Sequence, residues 1–291
     1  MQSKLAVIIG GTSGVGKHTA IDLANQNYHV IIVGSRADKG RQAQADISQT
    51  TGNQAVQLAL ADLSTKTGVQ QFAHQLAAMT DHIDILLNSI GVMLPERHLS
   101  ADGYDLNLVL NYLTHFWTIQ ALLPLLKHSD QARILLVGAL PFVINHAKVS
   151  LPDFDAPATS KYNAMTVTAQ ATSKYNAMTV TAQATAARVL LTLALSERLT
   201  ATNVTINIFH PGYVPDSNFG AGGSWVSRLA GRILGESFSR KNSPIGAWLA
   251  TAPELTHTSG HFYDDRLRQV PLSKQYTRSK ANDLWRLSSQ Y

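Results

Sequence analysis

The sequence predicts one α/β domain, doubly wound, with a mainly parallel sheet of about seven strands and helices on both faces. Three observations carry that prediction. Short, continuously apolar runs recur along the 291 residues; the stretches between them place apolar residues at helical spacing; and a glycine cluster joins the first apolar run to the first helical stretch. A strand apolar throughout is buried on both faces, whereas a strand with one wet face alternates. Alternating strands and helices then build right-handed βαβ units with helices on either side of the sheet.

Leu5–Ile9 is the first strand, followed by His29–Val33, Ala55–Leu60, Ile83–Leu87, Ile134–Val137 and Val204–Phe209, with Gly260–Tyr263 as a short seventh. Helical spacing is clearest in Leu108, Leu110, Phe116, Ile119, Leu122 and Leu123. No composition shift marks a linker, so residues 1–291 read as a single domain. One feature is anomalous: residues 158–170 are repeated without a change as 171–183. At about 100° per residue the two copies stand roughly 140° apart on a continuous helix, so both cannot present one face to the core. One copy is therefore expected to be extruded as a loop or surface extension.

Composition excludes several functions. Hydrophobic residues make up 45% of the chain, enough for a large core, and the formal charge of +5 is scattered rather than gathered into a basic stripe. Nucleic-acid binding is not expected. With no cysteine, disulfides, thiolate catalysis and zinc–thiolate sites are impossible. The 11 histidines show no metal-ligand spacing, and no apolar run is long enough to span a bilayer, so neither a metal nor a membrane partner is expected and a cytoplasmic location is. A homodimer is compatible with the sequence but not derivable from it.

The candidate site begins at Gly10-Gly11-Thr12-Ser13-Gly14-Val15-Gly16, directly between the first strand and the first helix. A tight strand-to-helix turn lets backbone N–H groups approach a pyrophosphate, and the helix N-terminus adds partial positive charge. Gly10, Thr12, Ser13, Gly14, Val15 and Gly16 are therefore candidate dinucleotide ligands, and the domain reads as Rossmann-type. The second strand ends at Gly34-Ser35-Arg36, with no acidic residue in 30–37 to hold a ribose 2′-hydroxyl. A guanidinium suits a 2′-phosphate instead, so Ser35 and Arg36 point to NADP(H). Asp62 and Leu63 past the third strand are expected beside the adenine, and Asn88, Ser89 and Gly91 past the fourth line the crevice at the strands' carboxyl ends.

These residues together resemble the short-chain dehydrogenase/reductase family over nearly the whole chain. Gly10, Gly14 and Gly16 match its glycine loop, although Ile9 stands where Thr is usual. Asn88-Ser89-Ile90-Gly91 is similar to its Asn-Asn-Ala-Gly motif, and Asn111-Tyr112-Leu113-Thr114-His115-Phe116 to the helix carrying its catalytic Asn. His210-Pro211-Gly212-Tyr213-Val214 resembles the stretch flanking the nicotinamide, which implies cofactor contacts at Pro211, Gly212 and Val214. The ending, Gly260-His261-Phe262-Tyr263 and Leu284-Trp285-Arg286-Leu287-Ser288, looks like the retinol-dehydrogenase-like branch. The resemblance implies an NADP(H)-dependent oxidoreductase acting on a small-molecule carbonyl or alcohol, with Asn111 catalytic.

The rest of the family's catalytic set is degenerate. The Ser after the fifth strand is replaced by Ala139. Counting back from His210 puts Thr181 where the family has Tyr and Thr185 where it has Lys. Tyr276-Thr277-Arg278-Ser279-Lys280 has the Tyr-x-x-x-Lys spacing but lies beyond the last strand and reads as coincidence. Ser160-Lys161-Tyr162 and Ser173-Lys174-Tyr175 put Lys before Tyr. A proton donor would have to be Tyr175, Tyr213 or a water, with Arg188 able to lend charge but not a proton. The alternative is a catalytically silent member acting as a dinucleotide sensor or partner-binding protein.

Overall fold

The computed structural model describes residues 4–146, 149, 177–214 and 243–291. Its centre is a seven-stranded sheet in the order β3-β2-β1-β4-β5-β6-β7. The strands are β1 (Leu5–Ile9), β2 (His29–Gly34), β3 (Val56–Leu60), β4 (Ile85–Asn88), β5 (Ala132–Val137), β6 (Val204–Phe209) and β7 (Phe262–Tyr263), and every pairing between neighbours is parallel. The chain winds outward from β1 to β3, then returns to place β4 on the other side of β1. The order therefore reverses between β1 and β4, where two loops leave in opposite directions and open a crevice.

Both sheet faces are buried, and alternate residues of each strand serve different cores. Leu5, Val7 and Ile9 point into one cluster with helices α3 (Lys66–Ala77), α5 (Thr114–Lys127) and α7 (Ala177–Arg198). Ala6 and Ile8 point into the other, with α1 (Gly14–Asn25), α2 (Ala37–Thr51) and α8 (Ile245–Thr251). This is why the strands read as continuously apolar. β3 departs from that reading: Gln57 and Leu60 are exposed because this strand forms the sheet's edge. Burial of a side chain such as Phe72 or Phe262 contributes roughly 1.5–3 kcal/mol.

Two stretches position the site. Asp105 accepts hydrogen bonds from the N–H groups of Asn107 and Leu108 and so caps a short α4 (Leu106–Leu108). The chain then makes one π-helical turn, Val109–Leu113, before continuing as α5. After β5 comes a short α6 (Pro141–His146). The first repeat copy, 158–170, lies outside the described residues, as do Tyr162 and Tyr175; the end of the second copy, Ala177 to Gln183, forms the first turns of α7. A last helix, α9 (Arg278–Ser288), lies across α7 and α5. There Trp285 meets the Phe116 ring edge-on and the Arg198 guanidinium stacks on Trp285. Among the described residues no helix is long and apolar enough to cross a membrane.

Candidate functional site

The glycine loop lies at the β1–β4 reversal, and its close approaches explain its composition. Gly10 has φ +80°, and a Cβ there would come 2.8 Å from Ser89 Oγ. A Cβ on Gly16 would come 2.5 Å from both the Gly10 carbonyl oxygen and Ser89 Oγ. Ser89 donates its hydroxyl to the Ile9 carbonyl at 2.8 Å, which ties the β4 loop to the β1 loop. Gly14 has φ +50° and opens α1. Ser13 stands at the N-cap in extended conformation without a side-chain cap bond, so the first N–H groups of α1 are not closed off by it. The helix dipole, a helix start without a side-chain cap bond and absent Cβ atoms make this a cradle that fits a pyrophosphate.

On the β2 side, Thr12 packs against Gly34, where a Cβ would lie 2.6 Å from Thr12 Cγ2. Ser35 follows, and Arg36 sits exposed at the N-cap of α2. Its guanidinium pairs with Asp38 at 3.2 Å, and that contact holds the Asp38 carboxyl below its ordinary range. Asp38 lies just past the window free of acids in the sequence, so a 2′-phosphate at Arg36 would compete with a carboxylate that is already there. Asp62 accepts from the Ser64 N–H at 2.9 Å, while Leu63 is buried and its carbonyl accepts from the Thr114 hydroxyl at 2.7 Å. Asp62 and Leu63 thus leave β3 level with the Gly34–Arg36 turn. Asn88 is buried at the end of β4; its amide donates to Thr118 Oγ1 at 3.0 Å, and its Oδ1 has no partner among the described residues.

Asn111 is held tightly. Its side chain accepts from Val92 N–H at 3.1 Å and donates to the carbonyls of Val92 and Asn107, both at 2.7 Å. The amide therefore pins the loop beyond Gly91 to the π-helical turn. Such a turn widens the helix by one residue and recurs at functional sites. Past β6, His210 is buried, whereas Pro211, Gly212, Tyr213 and Val214 are partly exposed at the strand's carboxyl end. Gly212 has φ +79°.

Thr181 and Thr185 are both buried on one face of α7. Thr185 donates to the Thr181 carbonyl at 2.9 Å and accepts from the Arg188 guanidinium at 2.8 Å. Thr181 Oγ1 has no partner among the described residues. The Tyr276 hydroxyl donates to the Ile144 carbonyl at 2.8 Å and the Lys280 ammonium to the Val149 carbonyl at 3.3 Å. Both reach backbone oxygens near α6, so this Tyr-x-x-x-Lys pair anchors the chain ending, as its position in the sequence implies.

The family model for short chain dehydrogenase matches residues 4–186. The chain belongs to the short chain dehydrogenase family. Human polyprenol dehydrogenase is 29% identical over 99% of this chain and 84% of its own length, and human retinol dehydrogenase 13 matches with the same identity and coverage. These relatives put this short chain dehydrogenase in the retinol-dehydrogenase-like branch. The Pseudomonas aeruginosa RhlG/NADP active-site complex superposes with a TM-score of 0.65 at 21% identity, over 90% of this chain and 94% of that one, which shows a shared fold.

For a short chain dehydrogenase, the structure brings together Gly10, Gly16, Asn88, Ser89 and Gly91 at one reversal point, with Asn111 behind the same loop. Sequence reasoning missed the π-helical turn and the Arg36–Asp38 pair. The pair was legible two residues on; the turn leaves no signal that a helical period would reveal.

Proposed function

We propose that this chain is an NADP(H)-dependent oxidoreductase that interconverts a carbonyl and an alcohol. The observation carrying this reading is the glycine cradle at the β1–β4 reversal, in a chain whose family relatives are dehydrogenases. Gly10, Thr12, Ser13, Gly14, Val15 and Gly16 would hold the pyrophosphate, Ser35 and Arg36 the 2′-phosphate, Asp62 and Leu63 the adenine side, and Asn88, Ser89 and Gly91 the inner ribose. Pro211, Gly212 and Val214 would flank the nicotinamide, which when bound supplies the hydride. The whole chain, residues 1–291, serves as one such domain.

The proton has a different source from the usual phenol–ammonium pair. A threonine hydroxyl is far too weak an acid at neutral pH, and Thr185 already spends its hydroxyl on Thr181 and Arg188. Tyr213 offers a phenol that is partly exposed just past β6, next to Gly212. We assign it the proton transfer to the substrate oxygen, with Asn111 holding the loop and Thr181 offering its unpaired hydroxyl to substrate or ribose. A positioned acid contributes ~10²–10⁴-fold, so removing the Tyr213 hydroxyl is expected to slow turnover by that order.

The test is NADPH consumption with a panel of aldehydes and ketones, alongside fluorescence titration of NADPH. Turnover lost in Tyr213→Phe and kept in Thr181→Val supports the assignment; the reverse overturns it. A silent, cofactor-binding role is the second reading, favoured by the internal pairing of Thr185 and Arg188. Tight NADPH binding without turnover on any carbonyl would establish it.

A further inference from the structure

Arg188 is a buried cation on α7. The residue is 4% exposed; among the described residues no carboxylate pairs with it, one terminal nitrogen donates to Thr185 and Nε has no partner. Burial pulls its pKa down to about 9, which still leaves it protonated at neutral pH. An unpaired buried cation is destabilising, and a neutral residue of similar volume would be better for folding alone. Its position says what it is near. α7 follows β5 and runs back toward the start of β6, so its N-terminal half lies at the carboxyl ends of the strands. The guanidinium reaches Thr185, one turn toward that end, as helix side chains lean. Its charge also bears on His115, whose Nε2–H donates to the Ile90 carbonyl in the loop past β4 at 3.0 Å. Arg188 is thus near His115, whose ring is bonded to the loop that carries Ser89 and Ile90 past β4.

We propose that Arg188 is a positioning residue that sets which oxidation state of the nicotinamide cofactor the site favours. The inference rests on the NADP(H) reading above. The oxidised nicotinamide ring carries a positive charge and the reduced ring carries none. A fixed guanidinium near the crevice opposes the first and leaves the second alone. Were the ring to lie about 10 Å away in partly buried protein, a unit charge would shift such a balance on the order of tenfold. The site therefore holds the hydride donor in preference to the spent cofactor, which suits carbonyl reduction and fast release of the oxidised product.

The experiment is titration of NADPH and NADP⁺ into the full chain, as wild type, Arg188→Lys and Arg188→Met, with unfolding midpoints measured alongside. Wild type should bind NADPH at least about threefold more tightly than NADP⁺. Arg188→Lys should keep that ratio and Arg188→Met should bring it close to one, chiefly by tightening NADP⁺. A structural role alone would weaken both forms together and leave the ratio unmoved, which overturns the proposal. Equal affinities in wild type overturn it without any variant, so failure of Arg188→Met to fold does not protect it. If wild type binds neither form, the cofactor reading itself has failed.

Discussion

At the β1–β4 end of the crevice, close approaches are made by glycine and backbone. At the α7 end they are made by buried polar side chains, two of them in contact with each other. Gly10 and Gly16 leave space that no other residue could leave, and the Ser13 side chain makes no cap bond at the start of α1. Thr185, in contrast, is engaged by the Thr181 carbonyl and the Arg188 guanidinium. On the proposed reading, the first end is shaped by the cofactor it would accommodate and the second has threonines where proton-moving groups would stand. The comparison then separates binding from chemistry: steric constraint holds the one while the other is free to drift.

The sharpest way to break the comparison is to fill the cradle. Gly16→Ala places a methyl 2.5 Å from a backbone oxygen that cannot move cheaply. NADPH binding should fall by at least about 100-fold, with stability down about 1–3 kcal/mol as for other overpacked sites. Normal NADPH affinity in this variant, measured by fluorescence titration, would mean the cofactor lies elsewhere.

The opposite manipulation repairs the α7 end. Ala139→Ser, Thr181→Tyr and Thr185→Lys together should raise carbonyl turnover on the order of 10²-fold, and single restorations should do little, because such residues act as a unit. The structure adds a condition: a lysine at 185 would stand beside the buried Arg188, so the gain should be larger when Arg188→Met is included. A triple variant whose kcat is unchanged in both backgrounds would show that α7 does not face the reacting atoms.

Arg36→Ala should reduce the preference for NADPH over NADH about tenfold, the worth of one charge-assisted contact. Asp38→Asn should widen the preference, since it frees the guanidinium from its present partner. Cofactor titrations that show no change in either variant would remove Arg36 from the site.

A smaller effect separates the two ends by pH. Burial, helped by the Arg188 charge, holds the His115 pKa well below its ordinary value, and burial lowers that of His210. In the unfolded chain the His115 imidazole takes up a proton near pH 6.5; in the folded protein it does so only well below that. Its contribution to stability is therefore fully present above pH 6.5 and falls below it, by up to about 1.4 kcal/mol per pH unit, and His210 acts in the same direction. His115→Gln should flatten that acid slope in denaturant titrations between pH 6.5 and 5, and an unchanged slope would count against its neutrality in the fold.

The smallest effect is expected from Tyr276→Phe, which removes one hydrogen bond to the Ile144 carbonyl, worth about 1 kcal/mol, and should leave turnover per folded molecule unchanged. A large loss of kcat there would make the Tyr276–Lys280 spacing more than a coincidence.

The fold was legible because its signals are local. A strand buried on both faces is apolar at every position, and several glycines packed between a strand and a helix mark a turn where backbone must come close to something. Strand ends are legible to within two residues or so; β4 begins at Ile85 rather than Ile83 and ends on the polar Asn88. The edge position of β3 was not legible, since it follows from the strand order and not from the residues of β3. At the site, the cradle was readable from Gly10 to Gly16, whereas the Arg188–Thr185 contact was only half readable. Spacing put Arg188 one turn from Thr185, but neither spacing nor composition says that a cation on a helix is buried without a carboxylate.

Tyr112, in the π-helical turn next to Asn111, shares a buried hydrogen bond of 2.6 Å with Ser288, 176 residues further along the chain. During synthesis the glycine loop, β1 and β4 are all available before α9 has been made. The turn that carries Asn111 gains this hydrogen bond only when α9 arrives and closes that long loop. Maturation of this protein thus has an order written into it: a nascent chain can hold the parts of a cofactor cradle well before the neighbourhood of Asn111 is secured. A chain halted short of α9 would carry those parts without the helix that braces them.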